Sequence, residues 1–182
     1  LLGRDRAGWR SLCHLITEAR RAWGKGHAPV AWDVLARHAE GLTCLTGCRR
    51  GALAAPLLRG DADAAWAAAR RLRELFRDEL WVEVARNRVA GEGALGRTLA
   101  RLASRLGVGA VATANVHYAD PGDGSTADLL ACVREGTTLA AARHLRANHC
   151  YFLASAAEMT GRFRDLPEAL ANTCNLRSRN GR

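Results

Sequence analysis

Lysine is nearly absent from this sequence. Lys25 is the only lysine among 27 basic residues, so arginine carries almost all of the positive charge. The formal net charge is +9 at pH 7, and clustered cations favour binding to a phosphate backbone. The arginines are dispersed, however, and a GC-rich coding background also enriches arginine and alanine. Charge alone therefore favours solvated faces over a dedicated DNA-binding stripe, and it leaves both interpretations open.

The sequence also lacks long apolar runs and targeting signals. No stretch approaches the roughly 18 uncharged apolar residues that a membrane span needs, and no signal-peptide pattern is present. We therefore predict a cytoplasmic protein with no membrane contact. The chain begins with Leu1 and not with methionine. We interpret this start as an internal cut or an incomplete gene product, so that the function belongs to a larger parent protein.

Cysteines are present but never at metal-binding spacing. No CxxC pair occurs among the six cysteines, which argues against a zinc ribbon. Most of them have apolar neighbours, and we predict reduced, buried thiols rather than a disulfide framework. The six are Cys13, Cys44, Cys48, Cys132, Cys150 and Cys174.

The hydrophobic pattern predicts helices that alternate with strands. Helical spacing covers residues 12–23, 32–39, 62–76, 95–106 and 127–134, with stops at Gly24, Gly26 and Gly107 and a cap at Asp61. Strands are predicted at 41–47, 80–84 and 108–113. This alternation indicates right-handed βαβ units in a parallel sheet or barrel. Two capping boxes, at 155–158 and 165–168, predict further helices.

The most informative segment for chemistry follows the third predicted strand. Asn115 and His117 are two residues apart, so on a strand both side chains leave the same face. An aspartate in place of Asn115 would form a divalent-metal fork with His117, but an amide is a much poorer ligand. An isolated histidine at a strand end is more often structural. Glu83 also has two interpretations, a structural partner or a group at a polar barrel end, and we favour the first.

Several segments resemble one family of proteins. Residues 111–118 read VATANVHY and resemble the "VATNDVHY" or "VATNNVHY" segment of bacterial DNA polymerase III alpha subunits and their error-prone relatives. Residues 8–16, 41–48 and 80–84 resemble "GYxNLxxLI", "GLIALSGC" and "YLEL". In the last third, residues 128–134, residues 151–153 with 158–159, and residues 165–173 resemble the family text "DxLxxIR", "YLxSxxEM" and "PEALxNT". Each piece is short, and the resemblance depends on their shared order and spacing across nearly the whole chain.

The resemblance implies an α/β fold, with a partial PHP-type distorted (β/α)7 barrel in residues 1–120. Residues 121–182 would form a helical connection to the polymerase core. Of the family's metal-ligand positions, His117 matches, Asn115 replaces the usual aspartate, and Cys48 stands at another. This pattern implies a degenerate site, without the Zn²⁺ or Mn²⁺ of an intact one. Asparagine in this segment favours the error-prone branch.

The resemblance further implies a parent enzyme that is a DNA-directed DNA polymerase in replication or damage-tolerant repair synthesis. It would use Mg²⁺, primer-template DNA and deoxynucleotides, and would contact a sliding clamp or other polymerase subunits. This segment would be a scaffold with no catalytic residue of its own. A barrel without its first strands is expected to leave open sheet edges. Two alternatives remain, a free-standing PHP-type phosphoesterase or exonuclease and a non-catalytic nucleic-acid-binding module.

Overall fold

A mixed α/β arrangement is seen in the computed structural model, which describes residues 1–23, 29–142 and 145–180, without the side chains of 177–180. The strands are β1 (Leu2–Gly3), β2 (Leu42–Leu45), β3 (Leu80–Ala85) and β4 (Gly109–Thr113). The helices are α1 (Arg6–Trp23), α2 (Trp32–Arg37), α3 (Ala54–Leu58), α4 (Ala62–Phe76), α5 (Glu92–Leu106), α6 (Gly124–Glu135), α7 (Ala156–Arg162) and α8 (Pro167–Asn180). Short 3-10 turns lie at Arg77–Glu79 and Pro121–Asp123.

The four strands form one sheet in the order β1-β2-β3-β4. β2 pairs with β3 and β3 with β4, both in parallel, and the second pair runs from Trp81 opposite Gly109 to Ala85 opposite Thr113. The parallel pairing predicted for these three strands is therefore confirmed, as is the α/β class. β1 was not predicted, and it joins the sheet antiparallel to β2.

Helix boundaries follow the local chemistry of their ends. The Asp61 side chain accepts a hydrogen bond of 2.9 Å from the backbone N–H of Ala64, so the predicted cap of α4 is confirmed. Gly107 ends α5 in the left-handed conformation, again as predicted. α1 starts six residues earlier than predicted, at Arg6. Its predicted stops, Gly24 and Gly26, lie outside the described residues.

The core lies between the sheet and the helices α4 and α5. The alternate residues Leu80, Val82 and Val84 of β3 are at most 1% exposed and pack with Leu72 and Leu99. Phe163 and Ala169, from the last third of the chain, belong to the same buried cluster. The N-terminal and C-terminal parts of the chain therefore share one core.

All six cysteines are free thiols, which confirms the prediction that they form no disulfide framework. Burial is confirmed only for Cys44 and Cys132, because Cys13 and Cys174 are exposed and Cys48 and Cys150 are partly buried. Burial among apolar side chains raises the pKa of the Cys44 thiol to about 11. This thiol is therefore neutral and unreactive at neutral pH.

The outer edge of β4 is covered by α8. The carbonyl groups of Ala110 and Ala112 point away from β3, and they accept hydrogen bonds from Asn172 Nδ2 at 2.9 Å and Thr173 Oγ1 at 3.0 Å. A helix that supplies such donors protects a strand edge from pairing with another chain. The expected open edges, which concern strands before β1, are not tested by this contact at β4.

A capping box begins α7, as predicted. The Ser155 hydroxyl accepts from the Glu158 N–H at 3.3 Å, and the Glu158 carboxylate accepts from the Ser155 N–H at 2.9 Å. We expect Ser155→Ala to lower the free energy of unfolding by about 1 kcal/mol, measured by urea denaturation. The control Ser125→Ala, at an exposed site in α6, is expected to change it by less than about 0.5 kcal/mol. Equal losses in both variants would contradict the role of the box.

Candidate functional site at the carboxyl edge of the sheet

Parallel strands bring their carboxyl ends to one edge of a sheet, where functional loops of α/β proteins collect. In this chain that edge is formed by the segments after β2, β3 and β4, joined by a fourth segment from the C-terminal third. We call these segments the rim and define it as residues 46–50, 86–88, 114–118 and 148–151. The three residues predicted as metal ligands, Cys48, Asn115 and His117, all lie in it.

Asn115 and His117 do not leave a common strand face. β4 ends at Thr113, and Asn115 has a φ of +44°, in the left-handed region. Side chains alternate between two faces only while the backbone stays extended, so the spacing argument fails here. Asparagine tolerates this conformation better than most residues, which is a local reason for its presence at position 115.

His117 is exposed and lies against Tyr151. The two rings meet edge to face with centroids 5.9 Å apart, and the His117 backbone N–H donates to the Tyr151 carbonyl at 2.8 Å. Partial desolvation lowers the pKa of His117 below its ordinary value, and the nearby charges of Arg146 and Arg50 lower it further. The neutral form of the His117 ring is therefore favoured more than in a free histidine.

Cys48 lies in the loop after β2 and is partly buried. It lines a small cavity of about 10 Å³ together with Arg49 and Glu83. Neither Asn115 nor His117 is among the described residues that line this cavity. The cavity therefore brings Cys48 next to Glu83 and not next to the other two predicted ligands.

Glu83 has internal partners on both neighbouring strand segments. Its carboxylate accepts from Thr113 Oγ1 at 2.7 Å, and its backbone N–H donates to Thr46 Oγ1 at 2.9 Å. Thr46 is 5% exposed. These contacts link the ends of three strands, which agrees with the structural interpretation of Glu83.

A buried asparagine joins the rim segments, and sequence reasoning did not identify it. Asn87 is 2% exposed, and its side-chain amide donates to the carbonyls of Ala114 and Cys150. Its backbone N–H donates to Glu92 at 2.7 Å, and its carbonyl accepts from Asn148 Nδ2 at 2.9 Å. Four segments thus meet at one residue. The only sequence signal for Asn87 is its position two residues after the end of β3.

Two buried arginines connect β3 to the C-terminal helices. Arg86 Nη1 donates to the Arg162 carbonyl at 2.6 Å, and Arg162 Nη1 donates to the Arg86 carbonyl at 3.1 Å. Arg86 also binds Asp165 through both guanidinium nitrogens, at 2.5 and 3.0 Å. The hydrogen bond from Arg86 lowers the pKa of Asp165 to about 2. The prediction that Asp165 begins a capping box at 165–168 is therefore wrong. α8 begins at Pro167, and the Asp165 carboxylate binds Arg86 instead.

Within residues 1–23, 29–142 and 145–180, no three histidine, cysteine, aspartate or glutamate side chains are grouped as metal ligands would be. In the same residues, no helix combines the length and apolar character that crossing a membrane requires.

Comparison with known proteins agrees with the resemblance seen in the motifs. The PHP domain family model matches residues 1–87. An error-prone DNA polymerase from Symbiobacterium thermophilum is 38% identical over 148 residues, which cover 81% of this chain and 14% of that protein. The DNA polymerase III alpha subunit of Treponema pallidum is 33% identical over 98% of this chain and 16% of its own length. The corresponding subunit of Pseudomonas aeruginosa is 35% identical over 98% and 15%.

These matches cover most of the chain but only a small part of each relative. The chain spans 14 to 16% of the length of the three relatives named above. The PHP match coincides with β1 through β3 and the start of the rim. Over most of its length the chain is therefore similar to one part of bacterial DNA polymerase III alpha subunits and error-prone DNA polymerases, and residues 1–87 match the PHP domain family.

Proposed function

We propose that this chain acts as the PHP-derived part of a bacterial DNA-directed DNA polymerase, as a scaffold without polymerase chemistry of its own. The single observation that carries the proposal is the match to polymerase III alpha subunits over 98% of the chain. In this proposal residues 1–120 are part of a distorted (β/α)7 barrel. Residues 121–182 are the helical connection to the polymerase core.

The hydrogen bonding of three carboxylates in and around the sheet supports a scaffolding role. Polymerase chemistry requires carboxylates that hold two metal ions against the attacking and leaving oxygens. Glu83 is bound to Thr113, Glu92 to the backbone of Asn87, and Asp165 to Arg86. These carboxylates join elements of the fold and are not directed at a shared site. The Mg²⁺, primer-template DNA and deoxynucleotides of the parent enzyme would then be bound elsewhere in it.

We further propose that the PHP metal site is degenerate in this chain. The candidate donors are the amide of Asn115, the ring of His117 and the thiol of Cys48, and an amide is a poor ligand for Zn²⁺ or Mn²⁺. Arg50 and Arg146 lie close enough to His117 to lower its pKa. Positive charge at that distance also opposes the approach of a divalent cation. The donor set therefore does not fit a metal centre.

The error-prone branch is our preferred placement. The error-prone relatives from Symbiobacterium thermophilum and Pseudomonas syringae pv. syringae are each 38% identical, over 81% and 80% of the chain. The alpha subunits of Treponema pallidum and Pseudomonas aeruginosa are 33% and 35% identical over 98% of it. Damage-tolerant repair synthesis in the cytoplasm, with a sliding clamp or other polymerase subunits as partners, follows from this placement.

We expect the purified 182-residue chain to extend no primer. The assay supplies a primed template, Mg²⁺ and all four deoxynucleotides, with a complete polymerase as the positive control, and product lengths are read on a denaturing gel. Template-directed incorporation that is retained after repeated purification would contradict the scaffold proposal.

The same preparation tests the alternative of a metal-dependent phosphoesterase. We expect elemental analysis to find less than stoichiometric zinc or manganese, and the variant His117→Ala to leave that content unchanged. Stoichiometric metal that is lost together with nuclease activity in His117→Ala would establish the phosphoesterase instead.

A further inference from the structure

Helix α6 is apolar on two opposite faces. Its inner face is buried at Gly124, Ala131 and Cys132. Three large apolar side chains of the outer face are exposed, and they are Leu129, Leu130 and Val133, at 51%, 64% and 77%. Because residues three and four positions apart are neighbours on a helix, these three form one continuous surface, which we call the α6 patch. A helix that is apolar all round is ordinarily covered on both sides.

The charges of α6 are already paired. Within this helix, which the structure describes in full, the Asp128 carboxylate lies 2.9 Å from His149 Nε2, and Arg134 Nη2 lies 3.2 Å from Glu135 Oε1. A nucleic-acid strand needs cations for its phosphates, and a helix that lies on a membrane surface carries many basic residues on its polar face. The α6 patch fits neither partner. Its chemistry is that of an apolar protein surface.

The size of the α6 patch decides between a free and a tethered protein partner. A leucine or valine side chain presents on the order of 100 Å² of apolar surface, so at the observed exposures the patch offers on the order of 200 Å². Independent proteins that associate stably bury about 800 Å² on each side. A partner on the same polypeptide needs much less, because tethering gives it a high effective concentration.

We infer that the α6 patch is an intramolecular docking surface, covered in the complete polymerase by an apolar, uncharged groove of the same polypeptide. The inference rests on the proposed function and deepens it by naming the surface through which the scaffold meets the rest of the enzyme. The three relatives named above are matched over only 14 to 16% of their length, so a polymerase of this kind has a large further body to supply the groove.

The test compares hydrogen exchange of residues 124–135 in the 182-residue chain and in the complete polymerase. We expect these amides to exchange at least roughly tenfold more slowly in the complete polymerase, because a covered helix opens less often. The double variant Leu130→Gln/Val133→Gln should remove most of this difference. It should shift the midpoint of thermal unfolding of the 182-residue chain by less than about 2 °C, since both positions are exposed. Equal exchange in the two wild-type proteins would overturn the inference.

The matched control is Ile16→Gln/Leu58→Gln. It removes two apolar side chains that are 61% and 45% exposed, on α1 and α3. We expect it to keep the protection of α6 in the complete polymerase within roughly twofold of wild type, because the groove would still cover the α6 patch. An equal loss of protection in both double variants would also overturn the inference, because the effect would then be one of general destabilisation.

Two further measurements separate this inference from other outcomes. Sedimentation velocity of the 182-residue chain is expected to show a monomer, and a dimer that Leu130→Gln/Val133→Gln dissociates would overturn the inference, since a second copy would then cover the patch. Primer extension by the complete polymerase tests the proposed function separately. An active polymerase with an unprotected α6 would contradict the docking surface alone. A protected α6 in a polypeptide that extends no primer would support the docking surface and contradict the polymerase function.

Discussion

Asp165→Asn is expected to lower the free energy of unfolding by about 2 kcal/mol, because it leaves the buried guanidinium of Arg86 without its counterion. Arg86 is 8% exposed and binds both oxygens of Asp165. The Asp165 side chain is 41% exposed, so water compensates part of the loss and the figure is at the lower end for a broken ion pair. Urea denaturation monitored by tryptophan fluorescence measures the change.

A control and a double variant separate the ion pair from other effects. The control is Asp78→Asn. The Asp78 side chain is 87% exposed and pairs with Arg73 at 3.2 Å. We expect this variant to lower the free energy of unfolding by less than about 0.5 kcal/mol. Arg86→Met/Asp165→Asn removes both partners and should cost less than the sum of the single changes. Strict additivity would contradict the coupling.

Acid titration should detect the same carboxylate. Arg86 lowers the pKa of folded Asp165 from 3.8 to about 2, chiefly through the side-chain hydrogen bond. Because the folded pKa lies below the unfolded one, the stabilisation is complete above about pH 4 and is lost as pH falls from about 4 to about 2. The difference in stability between wild type and Asp165→Asn should therefore shrink across this interval.

Gly8→Ala is the second substitution with a large expected effect, a loss of about 3 kcal/mol. A Cβ on Gly8 would lie 2.7 Å from the Gly41 carbonyl carbon and still closer to its oxygen. Gly41 has a φ of +72°, and a Cβ built on it would be 2.8 Å from Gly8 Cα. Backbone therefore meets backbone where α1 crosses the start of β2, and neither side can yield by a change of rotamer.

The control for Gly8→Ala is Gly93→Ala in α5. There the added Cβ would meet only the end of the flexible Arg97 side chain, at 3.5 Å. Alanine favours helix by up to about 1 kcal/mol over glycine, so this variant should be neutral or more stable. Thermal denaturation compares the two. A stabilising Gly8→Ala would show that α1 does not approach Gly41 this closely.

The regular elements were predictable because their signals are local. The Asp61 cap, the apolar stripe of α5 and the stop at Gly107 each depend on residues within a few positions. The charge-free run at 108–113 predicted an interior parallel strand. β4 does pair in parallel with β3 over five residues, but it is the last strand of the described sheet and not an interior one. The family resemblance depended likewise on short, ordered segments.

The rim was less predictable because its contacts join distant parts of the chain. The link from Arg86 to Asp165 spans 79 positions and that from Asn87 to Cys150 spans 63. No hydrophobic periodicity in the sequence predicts such pairs. The strand argument for Asn115 and His117 failed for a related reason, since the left-handed backbone at Asn115 depends on how the chain turns after β4.

The way α8 lies along β4 has a consequence for shortened versions of this protein. The two β4 carbonyls of Ala110 and Ala112 are hydrogen-bonded by Asn172 and Thr173. A version cut before residue 167 would uncover a strand with free acceptors beside the buried, apolar Trp81 and Val111. Such a strand is a template for self-association into intermolecular β-structure. We therefore expect α8 to protect the edge of β4 against aggregation, in addition to its contribution to the core.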